Sequence, residues 1–454
     1  MLNKFLILAF VVIIALALFA VPFPDGAVAL MAVAVLSSLA LFLFRRYTEE
    51  KDFVTTVFLI ALALRLAFGL MVHIFELRGF FGGDAVTYDT SGASLVAVWL
   101  GTNLQSDLLI YQNLPGSGFA WGMTYFTASI YVILGRNIFA AQSICAVFGA
   151  ATAPMIFFCA KKIFDNLNVA KTSALAIALF PSFIIWSGQL LKDGLIIFLL
   201  VLAMTMVMQL QSKFNYSALA SLIFALFGIL SLRFYIFYMM VVAVAGSFLV
   251  GMSNSNKSLL RRMAVIFVIG FSLLYLGVGR NASIELTKFA NLERIQSSRA
   301  NLSSSADSGF EKDADVSTAE GALSTIPLGL AYLMFAPFPW QAANLRQAIT
   351  IPEVLLWWAM IPFLIIGINY SIRNRLRNTF PILIFSLLLT VSYSVFQGNV
   401  GTAYRQRTQI QVFLFVFISA GWTVYQENRE NKRLLRAAAQ QRVDNSLRAR
   451  AVYR

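Results

Sequence analysis

Long uninterrupted apolar stretches constrain this chain more than any other feature of its sequence. They recur along almost the whole chain, and several approach the roughly 20 residues that an α-helix needs to cross a bilayer. Hydrophobic residues make up 59% of the 454 residues and charged residues only 12%, a balance that water-soluble domains rarely reach. The alternating ten-residue segments of membrane β-barrels are absent from the sequence. The sequence therefore predicts an all-α, polytopic membrane protein.

The apolar runs predict a bundle of about 12 transmembrane helices with additional interfacial helices on the outer side. The first run resembles a signal peptide, but its cleavage site is weak and a second run follows at once, so we expect an uncleaved span. Two further runs, Phe119–Leu134 and Ile326–Trp340, are apolar, and whether they cross is left open. The runs expected to cross are Phe5–Val21, Ala27–Phe44, Phe53–Phe75, Ile138–Phe158, Val169–Ser187, Gly194–Leu210, Ala218–Leu232, Phe234–Val250, Met263–Leu276, Pro352–Tyr370, Thr379–Phe396 and Ile410–Tyr425.

Positive charge orients these runs, because Lys and Arg concentrate in cytoplasmic loops. Arg45, Arg46 and Lys51 place the second connection in the cytoplasm, and the next loop, which carries Asp84, therefore lies outside. The later basic connections and both termini are also cytoplasmic, provided that the two open segments lie in the outer interface. Those connections carry Lys161, Lys162, Lys171, Lys213, Lys257, Arg261, Arg262, Arg373, Arg375 and Arg377.

The same topology places several charged residues outside, together with Asp84. They are Lys192, Asp193, Arg233, Arg405 and Arg407. Cations on the outer side run against the general bias, and binding of an anion would explain them.

Three parts of the chain follow from this topology. Residues 1–52 form two N-terminal helices, and residues 53–425 form a core with outer loops at 76–137 and 280–325. Residues 426–454 form a basic tail. We interpret this tail as a cytoplasmic segment beside anionic membrane lipids, and not as a nucleic-acid-binding segment.

Asp84 is the first candidate for chemistry, because it lies in a glycine-flexed loop just after the run Phe53–Phe75. A carboxylate there can act as a general base on an acceptor hydroxyl. The simpler alternative is a helix N-cap, since Asp is favoured where a helix begins. Tyr88, one turn further on, either orients a substrate or anchors the helix at the interface. Asp89 is expected to be solvated, with the role of base as its alternative.

Two charged positions fall at the ends of apolar runs. Lys192-Asp193 offers a second acid that helps to place the acceptor, beside a cation for phosphate. The alternative is an internal ion pair that caps a helix end. Arg233 lies between two spans, either as an anion ligand or as an ordinary basic residue of a turn.

Two further sites carry arginine. Arg405 and Arg407 follow a segment with two glycines, and two guanidinium groups can grip a phosphate bidentately; the alternative is interfacial anchoring. Arg65 lies near the middle of an apolar run, where a charge must be paired, hydrated or extended towards the interface. Its candidate partner is a carboxylate such as Asp84, and the alternative is that it extends towards the interface.

No cofactor is predicted. The sequence has one histidine, two cysteines and no C-x-x-C motif, which argues against a zinc or haem site. Asp84 and Asp89 offer oxygen ligands that suit a divalent metal such as magnesium or manganese, which stays open as an alternative.

The order of these motifs resembles the GT-C superfamily of glycosyltransferases, which use polyprenyl-phosphate-linked sugars. The resemblance begins with an arginine-bearing span and the segment Gly83-Asp84-Ala85-Val86-Thr87-Tyr88, and it covers about residues 53–425. Later segments follow the order found in the protein mannosyltransferase and aminoarabinose transferase branch. These segments are Tyr131–Asn137, Ala160–Phe164, Phe180–Ser182, Ser187–Asp193 and Tyr404–Arg407.

The resemblance implies an inverting transfer of a sugar from a polyprenyl-phosphate donor to a glycan, lipid or protein acceptor. It implies an active site at the periplasmic face of a bacterial inner membrane, in surface glycan, glycolipid or glycoprotein assembly. Asp84 would be the catalytic carboxylate and Asp193 the second acid, while the outer arginines would hold the lipid phosphate.

Two other functions stay open at this point. A lipid-linked glycan polymerase or ligase needs the same outer arginines and a long outer loop, but it takes a polyprenyl diphosphate oligosaccharide. A flippase or transporter of an anionic lipid needs cations along a path through the membrane. Only Arg65 lies at depth, which argues against a transporter.

Overall fold

The computed structural model is helical throughout nearly all the residues that it describes, which are 2–81, 83–102, 121–250, 267–272, 292–304, 309–310, 315–342 and 344–452. Within these ranges the only strand-like pairing is an isolated bridge between Gly309 and Asn399. Among the helices of the described residues, seven are long and apolar enough to cross a membrane. The predicted class, a helical multi-pass membrane protein, is confirmed.

Eleven helices lie in the described residues up to 250. They are α1 (Leu2–Ala20), α2 (Asp25–Arg46), α3 (Lys51–Ile74), α4 (Asp84–Leu100), α5 (Trp121–Leu134), α6 (Ile138–Phe164), α7 (Leu167–Leu179), α8 (Pro181–Ser187), α9 (Lys192–Ser212), α10 (Tyr216–Leu232) and α11 (Phe234–Val250).

The remaining helices follow in the second half of the chain. They are α12 (Leu292–Ser304), α13 (Ala319–Phe335), α14 (Leu345–Asn374), α15 (Leu376–Phe396) and α16 (Val400–Val452), with a short 3-10 turn at Pro339–Gln341.

The seven long helices are α2, α3, α6, α9, α14, α15 and α16, and the bent pair α7–α8 raises this number to eight if it counts as one span. Each predicted run has a helix in its place except Met263–Leu276, of which the structure describes only 267–272. Parts of both predicted outer loops, and the connection with Lys257, Arg261 and Arg262, lie outside the described residues.

One predicted run, Val169–Ser187, is divided into α7 and α8, which meet at 55°. Pro181 causes the break, because proline lacks the amide hydrogen that would continue the helix and disfavours helical geometry in the residue before it. Phe180 accordingly has extended backbone angles, with φ −69° and ψ 126°. The break places α8 as a separate short helix just before α9.

Helix α6 forms the centre of the bundle and packs against α2, α3, α7 and α9. Most of its residues are buried, and many of them are small, which allows neighbouring helices to approach closely. At Gly149 a Cβ atom would overlap the hydroxyl of Ser187, so this glycine lets α8 lie directly against α6.

The helices run back and forth, and their ends form two separate sets. At one end Lys171 pairs with Glu50 at 2.7 Å, and Arg45 donates a hydrogen bond to Thr55 at 2.9 Å. The first turns of α4, α9 and α16 lie at the opposite end. Arg45 and Lys171 are therefore separated from the candidate site by the length of the bundle.

Candidate active site

Asp84 and Arg405 lie 321 positions apart in the sequence and meet at this second end of the bundle. Asp84 opens α4, with Gly83 as its N-cap, and Arg405 lies in the second turn of α16. Nη1 of Arg405 donates to Oδ2 of Asp84 at 2.8 Å. The Asp84 side chain is 47% exposed, so the carboxylate stays accessible from outside the bundle. The sequence placed Asp84 and Arg405 on the same side of the bundle, and in the structure their side chains are in direct contact.

Asp193 lies beneath this pair in the first turn of α9, with no exposed side-chain surface. Its Oδ2 accepts from Nε of Arg405 at 2.7 Å and contacts Nη2 at 2.5 Å. Its Oδ1 contacts Nη2 of Arg233 at 3.1 Å. A carboxylate at a helix N-terminus between two guanidinium groups is stabilised by all three neighbours. Asp193 therefore fixes both arginines in place.

Arg233 occupies the break between α10 and α11 and is almost completely buried. Its Nη1 donates to the hydroxyl of Tyr235 at 2.8 Å and lies 3.5 Å from that of Tyr393. Tyr393 in turn donates to Oε1 of Gln409 at 2.7 Å, and Gln409 reaches back to Asp193 at 3.5 Å. These contacts close a polar ring, in which each hydrogen bond supports the next.

Lys192 and Tyr88 border this ring. Each interacts electrostatically with Asp84, Asp193, Arg233 and Arg405. Among the described residues, no hydrogen-bond acceptor or carboxylate is paired with the half-buried Lys192 ammonium. Burial, followed by the charge of Asp84, raises the pKa of Tyr88, which keeps its hydroxyl protonated as a donor. Three cations face two carboxylates, so the site carries an excess positive charge.

Trp186 forms one wall of the site. Its ring lies 5.5 Å from the guanidinium carbon of Arg405, in the range of a cation–π contact. The same ring contacts that of Tyr404 at a centroid distance of 6.4 Å. Asp193 and the ring of Trp186 therefore hold Arg405 in place, while its Nη1 points to Asp84.

Arg407 does not join this site, and the prediction that it grips an anion together with Arg405 is wrong. Two residues along a helix point about 200° apart. Arg407 is fully buried, and its Nη1 donates to the carbonyl oxygens of Met334 at 3.1 Å and Ala336 at 2.9 Å. Its guanidinium lies 5.1 Å from the ring of Tyr404. These contacts tie α16 to the end of α13.

Arg65 also lies away from Asp84, and the candidate pairing of the two is wrong. The buried guanidinium donates to Ser187 Oγ at 2.8 Å and to the carbonyl oxygen of Ile177 at 3.1 Å. In an unbroken helix the Ile177 carbonyl would accept from the amide of residue 181, which is a proline. Arg65 satisfies this carbonyl where α7 breaks.

Asp89 is not the solvated side chain that the sequence suggested. Tyr131 donates to its Oδ1 at 2.5 Å, and Arg136 pairs with its Oδ2 at 2.7 Å. The hydrogen bond to Asp89 raises the pKa of Arg136. Asp89 thus ties α4 to the end of α5. The described residues contain no group of three or more His, Cys, Asp or Glu side chains that could hold a metal ion.

Several residues of the site were missed by sequence reasoning. Gln409 could have been found, because it lies four residues after Arg405 and so shares its helix face. Glu353 was passed over, although an acid inside an apolar run is a signal in its own right. Tyr235 and Tyr393 gave no such signal, since aromatic residues are frequent throughout this chain.

Comparison with known proteins adds no identification. No protein-family model matches the chain, and no curated protein matches its sequence.

Proposed function

We propose that this protein is an integral membrane glycosyltransferase that moves a sugar from a polyprenyl-phosphate-linked donor to an acceptor hydroxyl. The observation that carries the proposal is the contact between an accessible carboxylate, Asp84, and a largely buried guanidinium, Arg405, that Asp193 anchors. A base for the acceptor and a cation for the departing phosphate are thereby adjacent. Glycosyl transfer needs both groups at the same reacting sugar, with the base beside the acceptor hydroxyl and the cation beside the donor phosphate.

In this reaction the acceptor oxygen forms a bond to the anomeric carbon of the donor sugar. The bond from that carbon to the phosphate oxygen breaks, and its electron pair leaves with the polyprenyl phosphate. Asp84 accepts the acceptor proton as general base. Arg405 and Lys192 stabilise the charge that develops on the phosphate, where preorganised cations contribute most. The half-exposed position of Asp84 suits an acceptor that arrives from outside the bundle.

The arrangement of Arg405 suggests how donor binding prepares the base. Its Nε and Nη2 contact the buried Asp193, while only Nη1 contacts Asp84. A donor phosphate competes with Asp84 for Nη1, and Asp193 keeps the rest of the guanidinium in place. Asp84 is then free to accept a proton only after the donor has bound. Donor binding therefore precedes productive acceptor binding.

The position of the site also fits the proposed topology. The basic groups Arg45 and Lys171 lie at the end opposite to Asp84, and the positive-inside rule assigns their end to the cytoplasm. We therefore propose a GT-C-like bundle of about 12 crossings in a bacterial inner membrane, with the site facing the periplasm and both termini inside. The acceptor is a glycan, a lipid or a protein at the cell surface.

The test is lipid analysis of a strain that lacks the gene, complemented with single variants. We expect the deletion strain to accumulate a polyprenyl monophosphate sugar, measured by mass spectrometry. Asp84→Asn should fail to clear this lipid, because the amide cannot accept the proton. Asp165→Asn is the matched control, since Asp165 is exposed at the opposite end and its left-handed backbone, with φ 51°, tolerates asparagine.

The alternatives give different results in the same experiment. Accumulation of a polyprenyl diphosphate oligosaccharide would identify a polymerase or ligase. Clearance of the accumulated lipid by Asp84→Asn, at the level of the wild type, would contradict the enzyme and favour a lipid transporter. The buried arginines Arg65 and Arg407 speak against transport, because both are bound to backbone carbonyls.

A further inference from the structure

The short helix α8 is held by a buried charge at each end. In its first turn, Ser182 donates to Oε1 of Glu353, a carboxylate on α14 that is 5% exposed. In its last turn, Ser187 accepts from Nε of Arg65 at 2.8 Å. The negative group lies at the N-terminus and the positive group at the C-terminus, as the helix dipole favours. The position of α8 is therefore fixed at both ends.

Glu353 is satisfied by hydroxyl groups. Its Oε2 accepts from Tyr404 at 2.8 Å, and the hydroxyls of Ser182 and Tyr404 lie 2.9 Å apart. Within the described part of the chain, no Lys or Arg nitrogen lies within 4.0 Å of this carboxylate. A carboxylate inside a membrane span is costly, so one held in this way marks a position with a specific role.

The contact among Glu353, Ser182 and Tyr404 lies next to the candidate site. Ser182 and Trp186 are four residues apart on α8, and Tyr404 and Arg405 are consecutive on α16. Ser182 contacts Tyr404 while Trp186 contacts Arg405, which gives two parallel contacts between the same two helices. Glu353 accepts hydrogen bonds from both Ser182 and Tyr404. It thereby sets the distance between the two helices at which Trp186 contacts Arg405.

We propose that Glu353 is a positioning residue for Arg405. It clamps the first turn of α8 to the first turns of α16, so that Trp186 faces the guanidinium and Arg405 reaches both Asp193 and Asp84. Its effect on sugar transfer rests on the function proposed above. Its effect on the conformation of Arg405 does not.

Kinetics of purified variants test this role. Glu353→Leu removes both acceptors, and we expect kcat/KM for the donor to fall about tenfold through misplacement of Arg405. Glu353→Gln keeps the shape and can accept from one hydroxyl while donating to the other, so it should stay within about threefold of the wild type. Equal losses in both variants would overturn the proposal.

A double-mutant cycle separates positioning from general destabilisation. If Glu353 acts through Trp186, then Glu353→Leu should cost little more in the Trp186→Leu background, where the contact with Arg405 is already lost. A merely structural role gives effects that multiply. Multiplicative losses in kcat/KM would therefore overturn the proposal.

A structural measurement decides the inference even if the protein transfers no sugar. We expect a cryo-EM map of Glu353→Leu to show the Arg405 side chain away from Trp186, and the map of Glu353→Gln to show it in place. Arg405 still on Trp186 and Asp193 in Glu353→Leu would overturn the positioning role. Absence of transfer by the wild-type protein would instead overturn the proposed function.

Discussion

The buried carboxylate of Asp193 contacts Arg405 at Nε, 2.7 Å away, and at Nη2, 2.5 Å away, and so fixes the guanidinium plane. The remaining nitrogen, Nη1, points to Asp84 at the accessible edge of the site. One arginine thus connects a carboxylate that has no exposed surface with one that is 47% exposed. Under the proposed function, this difference in exposure assigns structural support to Asp193 and the chemistry to Asp84.

The two aspartates should respond differently to replacement. Asp193→Ala leaves the buried Arg233 without its carboxylate and Arg405 with Asp84 alone, and we expect the free energy of unfolding to fall by about 3–5 kcal/mol. Asp84→Asn breaks a partly exposed ion pair and should cost at most about 1 kcal/mol. Thermal or denaturant unfolding in detergent measures both values. Similar losses for the two variants would contradict the division of roles.

Arg405→Lys should weaken donor binding although the charge is kept. A lysine ammonium is a single point of charge and cannot bridge Asp84 and Asp193 as the planar guanidinium does. We expect the KM for the donor to rise at least about tenfold, measured with purified protein. Arg436→Lys, at an exposed position of the C-terminal helix, is the matched control and should have no effect. An unchanged KM in Arg405→Lys would argue against phosphate binding at this residue.

Replacement of Arg407 should change stability and not the site. Arg407→Met leaves the carbonyl oxygen of Ala336 without this donor, at a cost of about 1–3 kcal/mol, whereas the carbonyl oxygen of Met334 keeps the indole of Trp357 as a donor at 2.8 Å. Transfer activity per folded molecule should stay within about threefold of the wild type. A loss of transfer activity at unchanged thermal stability would contradict this account and indicate that Arg407 binds the anion.

Chelation of divalent metal should leave the reaction intact. The proposed chemistry assigns charge stabilisation to Arg405 and Lys192, and Asp84 already has a guanidinium partner at 2.8 Å. We expect the initial rate of transfer to be the same with and without EDTA. A rate that falls with EDTA and returns with magnesium or manganese would assign a metal to the site.

Much of the arrangement could be predicted from the sequence, because charge bias fixes which helix ends share a membrane face. That argument alone brought Asp84, Asp193, Arg233 and Arg405 to one end. It could not predict that Arg405 faces the site and Arg407 does not. The direction in which each side chain points depends on where α16 begins and on how this helix is rotated in the bundle.

The hydrogen-bond partners of the buried charged residues could not be predicted from the sequence. Arg65 bonds to carbonyls that Pro181 leaves free, and this required knowledge that α7 and α8 separate there. Glu353 meets Ser182 and Tyr404 across three helices that are far apart in the chain. Contacts of this kind follow from tertiary packing, which no local pattern encodes.

The most direct measurement of the central claim uses the lipid that accumulates in the deletion strain. Purified wild-type protein and Asp84→Asn are each incubated with this lipid and an extract that contains the acceptor, and released polyprenyl phosphate and bound lipid are quantified by mass spectrometry. We predict that both proteins bind the lipid, whereas only the wild type releases polyprenyl phosphate. Release by Asp84→Asn at the wild-type rate would contradict the assignment of Asp84 as the base.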